Sequence, residues 1–243
     1  MKSYRGRGGQ EQLWFKPDEI ESIMVGELRK AAMMPTPDAP AVDLERFIER
    51  HLRVTLDQYA DLDATVLGVT EFFEGMTPRI SINKDLTGAA IDEDESPPGV
   101  LGRWRATLAH EASHVLLHRS LFEFAVGNMN LFEAKPAADE GEGRRLHRCL
   151  KRDVAYRLGQ GRYDWREVQA NQGMAALLMP RVVFQAIARE EIISAFPGRD
   201  TIPHGGEAPV VERLAPRFEV SKEAARIRLN TLGLVEARGQ QRL

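Results

Sequence analysis

His110-Glu111-Ala112-Ser113-His114 is an HExxH signature inside an apolar stretch, and its reading decides the fold. From about residue 101 to 118 the pattern predicts a helix in which His110 and His114 sit one turn apart, at i and i+4. Their Cβ atoms are then roughly 5–6 Å from each other, so both imidazoles can reach one metal ion. That geometry suits zinc. At about 100° per residue, Leu101, Trp104, Leu108, Ala112 and Val115 fall opposite the two histidines, with Arg103, Thr107 and Leu117 on the flanks. The helix therefore has a core face and a site face. Glu111 points off the flank of the site face, poorly placed as a third ligand but able to take a proton from water at the metal, so its expected role is general base. The plainer alternative is a surface helix with two solvated histidines. His118 extends the series, but at i+8 it lies about 12 Å from His110 along the axis and is out of reach of the same ion. It reads as a capping or packing histidine.

The chain has 243 residues, enough for one medium domain with a small appendage. Hydrophobic residues make up 43%, charged residues 28%, and the formal net charge is −3, so the overall balance favours no particular charged partner. Cys149 is the single cysteine. An intrachain disulfide and a cysteine-rich zinc cluster are thereby excluded, and any zinc site must use His and carboxylate. No apolar run of signal-peptide length follows the basic N-terminus, and no stretch approaches 18 consecutive apolar residues, so the expected location is cytoplasmic, with no membrane partner.

Residues 1–15 are Gly- and Arg-rich without periodicity and read as a flexible arm. From Pro17-Asp18-Glu19 the spacing of Ile20, Ile23, Met24 and Leu28 predicts a helix ending near Met34, before Pro35 and Pro37. A second helix is expected over about 42–52. The period then changes. Stretches 54–59, 65–72 and 78–83 alternate or are rich in β-branched residues, and predict a small, mostly antiparallel sheet. Residues 86–102 read as a loop, 121–126 as a short strand or helix, 133–143 as a surface loop, and 144–158 as a helix broken at Gly159 and Gly161. The fold class is α+β.

A hydrolytic zinc site needs three protein ligands and an open position for water. The best source of the third is a helix over 164–180, capped by Asp164 and stopped by Pro180, on which Glu167, Asn171, Met174 and Leu178 share a side. Gly173, Ala175 and Ala176 let another helix approach closely. Glu167 begins an otherwise hydrophobic helix, where an unpaired buried charge is costly and a metal would compensate it. Asn171, one turn on, is placed to bond a ligand's distal nitrogen or carboxylate. The alternative is a solvated first-turn carboxylate favoured by the helix dipole.

HExxH followed by Glu167-x-x-Ala170-Asn171-x-x-x-Ala175-x-Leu177-Leu178-Met179-Pro180 resembles the ImmA/IrrE family of metallo-endopeptidases, which are gluzincin-like. With the β-rich approach containing Arg79-Ile80-Ser81-Ile82-Asn83, the resemblance spans roughly residues 17–195. It implies a zincin-like domain over 16–197, with a small mostly antiparallel sheet packed on the HExxH helix and a second ligand-bearing helix. It implies that His110, His114 and Glu167 bind Zn2+ and that Glu111 activates water in peptide-bond hydrolysis. The implied substrate is a protein, a helix-turn-helix transcriptional repressor of a phage, mobile-element or stress operon. Two departures stand out. Gly173-Met174 replaces the family's usual Phe-Ala, and Glu167 follows His114 by 53 positions, a longer interval than the resemblance leads one to expect.

Tyr156, Tyr163, His147 and His204 are candidates to stabilise the transition state, and the resemblance to zincin-like architecture implies that the strand around 80–83 is an exposed edge that takes an extended substrate. The tail, 205–243, reads as helical. Ser221 caps a helix carrying Ala224, Ala225, Ile227 and Leu229, preceded by a short apolar helix, in a helix-turn-helix-like arrangement. Lys222, Arg226 and Arg228 could meet phosphates, which makes a DNA-binding regulator with a vestigial peptidase domain the rival function. Pro216 and Glu219 suit a groove-facing unit poorly, so a helical hairpin packed on the peptidase core is preferred.

Overall fold

The structure is a computed structural model that describes residues 2–5, 11–73, 76–91, 99–127, 144–150 and 165–237. The N-terminal residues expected to form an arm instead pair as an antiparallel hairpin of β1 (Lys2–Arg5) and β2 (Glu11–Trp14), the second strand lying against the HExxH helix. Helix α1 (Pro17–Lys30) starts as its proline and acids predict, and the Lys16 N–H donates to the Glu19 carboxylate at 2.8 Å. It stops short of residue 34 because Ala32 turns left-handed, at φ 54°. The next helix begins as α2 (Leu44–Arg46) and continues as a π-helical turn over Phe47–His51.

Three of the four strands in the main sheet are those read from alternation: β3 (Thr55–Ala60), β4 (Val66–Phe72) and β5 (Arg79–Asn83). The fourth, β6 (Arg144–Leu150), lies where a helix over 144–158 was expected, and residues 151–158 lie outside the described residues. Strand order is β3-β5-β4-β6, with β3 and β5 parallel and the other pairs antiparallel. The Ile80–Asn83 strand is therefore interior, not the exposed edge expected for substrate. Ile80, Ser81, Ile82 and Asn83 are all buried, and the Asn83 amide donates to the Val66 carbonyl at 2.9 Å, pinning the start of β4. The sheet's outer strands among the described residues are β3 and β6.

Helix α3 (Lys84–Ile91) occupies part of the expected loop, with Leu86, Thr87 and Ala90 buried. The HExxH helix, α4 (Val100–Gly127), runs past residue 118 and absorbs 121–126. It lies against β4, β5 and β6. Helix α5 (Trp165–Leu178) packs on both α1 and α4, and Pro180 separates it from α6 (Arg181–Ala195). Gly173 makes this three-helix seam. A Cβ there would sit 2.7 Å from Ser113 Oγ and 2.8 Å from Met24 Cε, so only glycine lets α1, α4 and α5 meet so closely.

The tail folds into α7 (Ala208–Arg217) and α8 (Lys222–Thr231), with the Ser221 cap accepting from the Ala224 N–H at 3.1 Å. Val210, Leu214, Ala225 and Leu229 join the same hydrophobic core as α1, α4 and α5. Close approach ties the tail to the HExxH helix as well: a Cβ on Gly102 would sit 2.7 Å from the Ser221 backbone nitrogen, and Arg105 bonds Glu219 at 3.1 Å. No helix among the described residues is long and apolar enough to cross a membrane.

Candidate metal centre

Helix periodicity on α4 and the crossing of α5 bring three donors to one point. His110 Nε2 and His114 Nε2 are 3.0 Å apart, and Glu167 Oε2 and Oε1 lie 3.1 and 3.4 Å from them respectively. Ligand atoms held tetrahedrally at 2.0–2.2 Å around one ion are about 3.3 Å from each other, so the three atoms stand at the spacing such an ion imposes. His110, His114 and Glu167 thus form a group that could hold a metal ion. Both imidazoles are fully buried, which removes the reading as a surface helix with solvated histidines. The Glu167 oxygens are also shielded from water, so the solvated first-turn carboxylate is excluded too.

The distal nitrogens are occupied. Asn171 Oδ1 lies 3.1 Å from His110 Nδ1, the contact expected of it from its position one turn beyond Glu167. On the other histidine, His114 Nδ1 faces His118 Nδ1 at 3.0 Å. His118 lies outside the ligand group, as its spacing predicts, and is buried, packed against His114 and the Trp165 ring.

Glu111 sits beside this group, fully buried, under β4. The Thr70 hydroxyl donates to its Oε2 at 2.5 Å, while Oε1 has no hydrogen-bond partner among the described residues. Gly68 supplies the room: a Cβ there would lie 2.9 Å from Glu111 Oε1 and 2.8 Å from Thr107 Cγ2. Burial pushes the Glu111 carboxyl up to about 7, against the opposing pull of His110 and of the Thr70 hydrogen bond. Burial likewise drives His114 well below the usual imidazole value. For His110 burial acts in the same downward sense, but the hydrogen bond to Glu167 and the charges of Glu111 and Glu167 together hold it above that value. The arrangement offers three lone-pair donors for a cation and one carboxylate poised near neutrality to exchange a proton.

The sequence missed Thr70, Gly68 and Gln169, since a threonine and a glycine in a strand and a glutamine in a helix carry no motif. Only the long-range approach of β4 and α5 to α4 gives them a role. Of the expected transition-state groups, His204 is exposed in the turn between α6 and α7. Tyr156 and Tyr163 lie outside the described residues, and His147 falls on β6 opposite Thr70.

Fold and site define a chain with two buried histidines and a half-buried glutamate gathered beside a protonatable carboxylate. A family model for the IrrE N-terminal-like domain matches residues 149–230, which bears out the resemblance to the ImmA/IrrE metallopeptidases and supports a metallopeptidase-type function. The matched segment holds Glu167 and Asn171 but not the HExxH pentapeptide. Geometry joins the two. No curated protein matches the chain.

Proposed function

We propose that this chain is a zinc-dependent endopeptidase that hydrolyses a peptide bond in a protein substrate, and that the substrate is a transcriptional repressor of helix-turn-helix type. The observation that carries the reaction is the convergence of His110 Nε2, His114 Nε2 and Glu167 to within 4.8 Å beside Glu111. The substrate class rests on the family resemblance alone. The donor set of two imidazoles and one carboxylate is that of hydrolytic zinc sites. Bound there, zinc supplies Lewis acidity, lowering the pKa of water toward ~7 and polarising the scissile carbonyl.

The chain's own residues do the rest. Glu111, with Oε2 held by Thr70, has Oε1 left to accept the proton of the attacking water. The same carboxyl then returns that proton to the leaving amine, so one group serves as base and acid in turn. An extended substrate that pairs with the sheet would use the outer edge of β3 or β6, because β5 has a neighbour on each side. A cytoplasmic location fits a chain with one cysteine.

The rival reading is a DNA-binding regulator, and the tail's cations weigh against it. Lys222 pairs with Glu212 at 3.0 Å, Arg226 with Glu223 at 2.6 Å, and Arg228 is buried on Glu21. Glu111→Gln tests the enzyme: zinc content should be unchanged while cleavage of a repressor substrate falls by about 10²–10⁴-fold. His114→Ala should lose both. Salt-dependent duplex binding that survives Glu111→Gln, with no cleavage by the unaltered protein, would instead favour the regulator.

A further inference from the structure

His114 and His118 face each other Nδ1 to Nδ1 at 3.0 Å, and on its far side His118 Nε2 lies 3.3 Å from Gln169 Oε1. All three side chains are buried, and the Trp165 ring closes over His118 edge-on at 5.5 Å. A neutral imidazole carries one N–H and one bare nitrogen. Two such rings meeting nitrogen to nitrogen hold one proton between them, which belongs to one ring or the other.

The glutamine decides which. Its Oε1 only accepts, so His118 Nε2 must donate, and the neutral His118 ring then has a bare Nδ1. His114 is thereby left to donate from Nδ1, and its own Nε2 is the bare nitrogen. That is the atom 3.0 Å from His110 Nε2 and 3.4 Å from Glu167. In the opposite arrangement the His114 proton would sit on Nε2, where no cation can bind.

Resting on the reading of His110, His114 and Glu167 as a zinc site, we propose that His118 and Gln169 are positioning residues: a two-residue relay that holds His114 in the Nδ1–H tautomer and so opens its Nε2 to the ion. The two ligand histidines are thus oriented by different means. Asn171 contacts His110 directly, whereas Gln169, two residues earlier on α5, acts on His114 through a third imidazole. Helix α5 supplies a carboxylate ligand and, through Gln169 and Asn171, governs both ligand histidines, His110 and His114.

The test compares Gln169→Met with Gln169→Glu, each full-length, by zinc affinity in chelator competition. Met keeps the volume and loses the acceptor; Glu keeps the acceptor and adds a buried charge. The relay predicts a zinc Kd raised about 10–100-fold in Gln169→Met and His118→Leu, and near the unaltered value in Gln169→Glu. A packing role predicts the reverse order, with Met tolerated and Glu damaging, and that result would overturn the relay. Independently of any variant's folding, the ¹⁵N-histidine spectrum of the unaltered zinc-loaded protein should show protons on His114 Nδ1 and His118 Nε2. A proton on His118 Nδ1 would also overturn it. Failure of the unaltered protein to bind zinc overturns the metal site itself and the relay with it, whereas zinc binding with unchanged affinity in all three variants overturns the relay alone.

Discussion

Two charged clusters, one between α1 and α8 and one between α4 and α5, are built in opposite ways. Between α1 and α8, Arg228 bonds both oxygens of Glu21 at 2.7 and 2.9 Å and donates twice to the Met179 carbonyl, while the Arg181 N–H donates to Glu21 at 2.8 Å. Every charge there has its counter-charge and its geometry supplied by the chain. Between α4 and α5, two imidazoles and a carboxylate point lone pairs at one another, with a second carboxylate, Glu111, buried alongside. Burying charge is tolerated when it is paired and hydrogen-bonded. The first cluster meets that condition from within and ties the tail to the core; the second is a group that could take an ion, which is the reading proposed above.

The contrast can be broken most directly at the closed cluster. Arg228→Ala leaves Glu21 buried without its cation and should lower stability by about 3–5 kcal/mol in a denaturant melt. Changing both residues together, Arg228→Met with Glu21→Met, should recover most of that loss. A single variant as mild as the double would mean that the pair is not desolvated as described.

At the open cluster the lever is the ion. Zinc held at a hundred times its Kd should raise the stability of the unaltered protein by about 2.7 kcal/mol and leave Glu167→Ala unmoved, a difference read from melts with and without chelator. Gly173→Ala is expected to cost about 1–3 kcal/mol, because the added methyl forces Ser113 and Met24 apart at the seam beneath the site. Zinc affinity in that variant should fall too, since Glu167 is carried by the helix that moves. Unchanged affinity would show that α5 can shift without disturbing the donors.

A further lever is pH. Burial raises the Glu111 carboxyl from 4.5 to about 7 in the folded chain, so folding takes up a proton between those values. The group's contribution is therefore fully present below about 4.5 and is lost as pH rises through 7. Metal-free unaltered protein should weaken over that window relative to metal-free Glu111→Gln, in melts at pH 5 and pH 8. A parallel pH profile for the two would mean that Glu111 is solvated in the metal-free state.

What was legible depended on how local each signal was. The spacing of His110 and His114 is a property of one helix, and so was the pairing of Glu167 with Asn171. The misreadings came where a local pattern and a distant partner disagreed. Leu146, Cys149 and Leu150 recur at i, i+3 and i+4, which predicts a helix, yet β4 offered an unpaired strand and the segment became β6. The resemblance to zincin-like architecture suggested an edge at 80–83, but both faces and both sides of β5 are covered.

By itself the sequence determined the identity of the donors, because imidazoles one helical turn apart and a carboxylate leading an apolar helix are facts of local geometry and residue chemistry. Only the tertiary structure decided that they meet, that Thr70 and Gly68 frame Glu111, and that Gln169 reaches His114 through His118. Apart from the His114–His118 step, which is one turn of α4, these contacts join residues 41 or more positions apart, and no period in the chain encodes them. They arise from the close approach of α4 and α5 at Gly173 and of β4 and α4 at Gly68, where the absence of a side chain is what brings the backbones together.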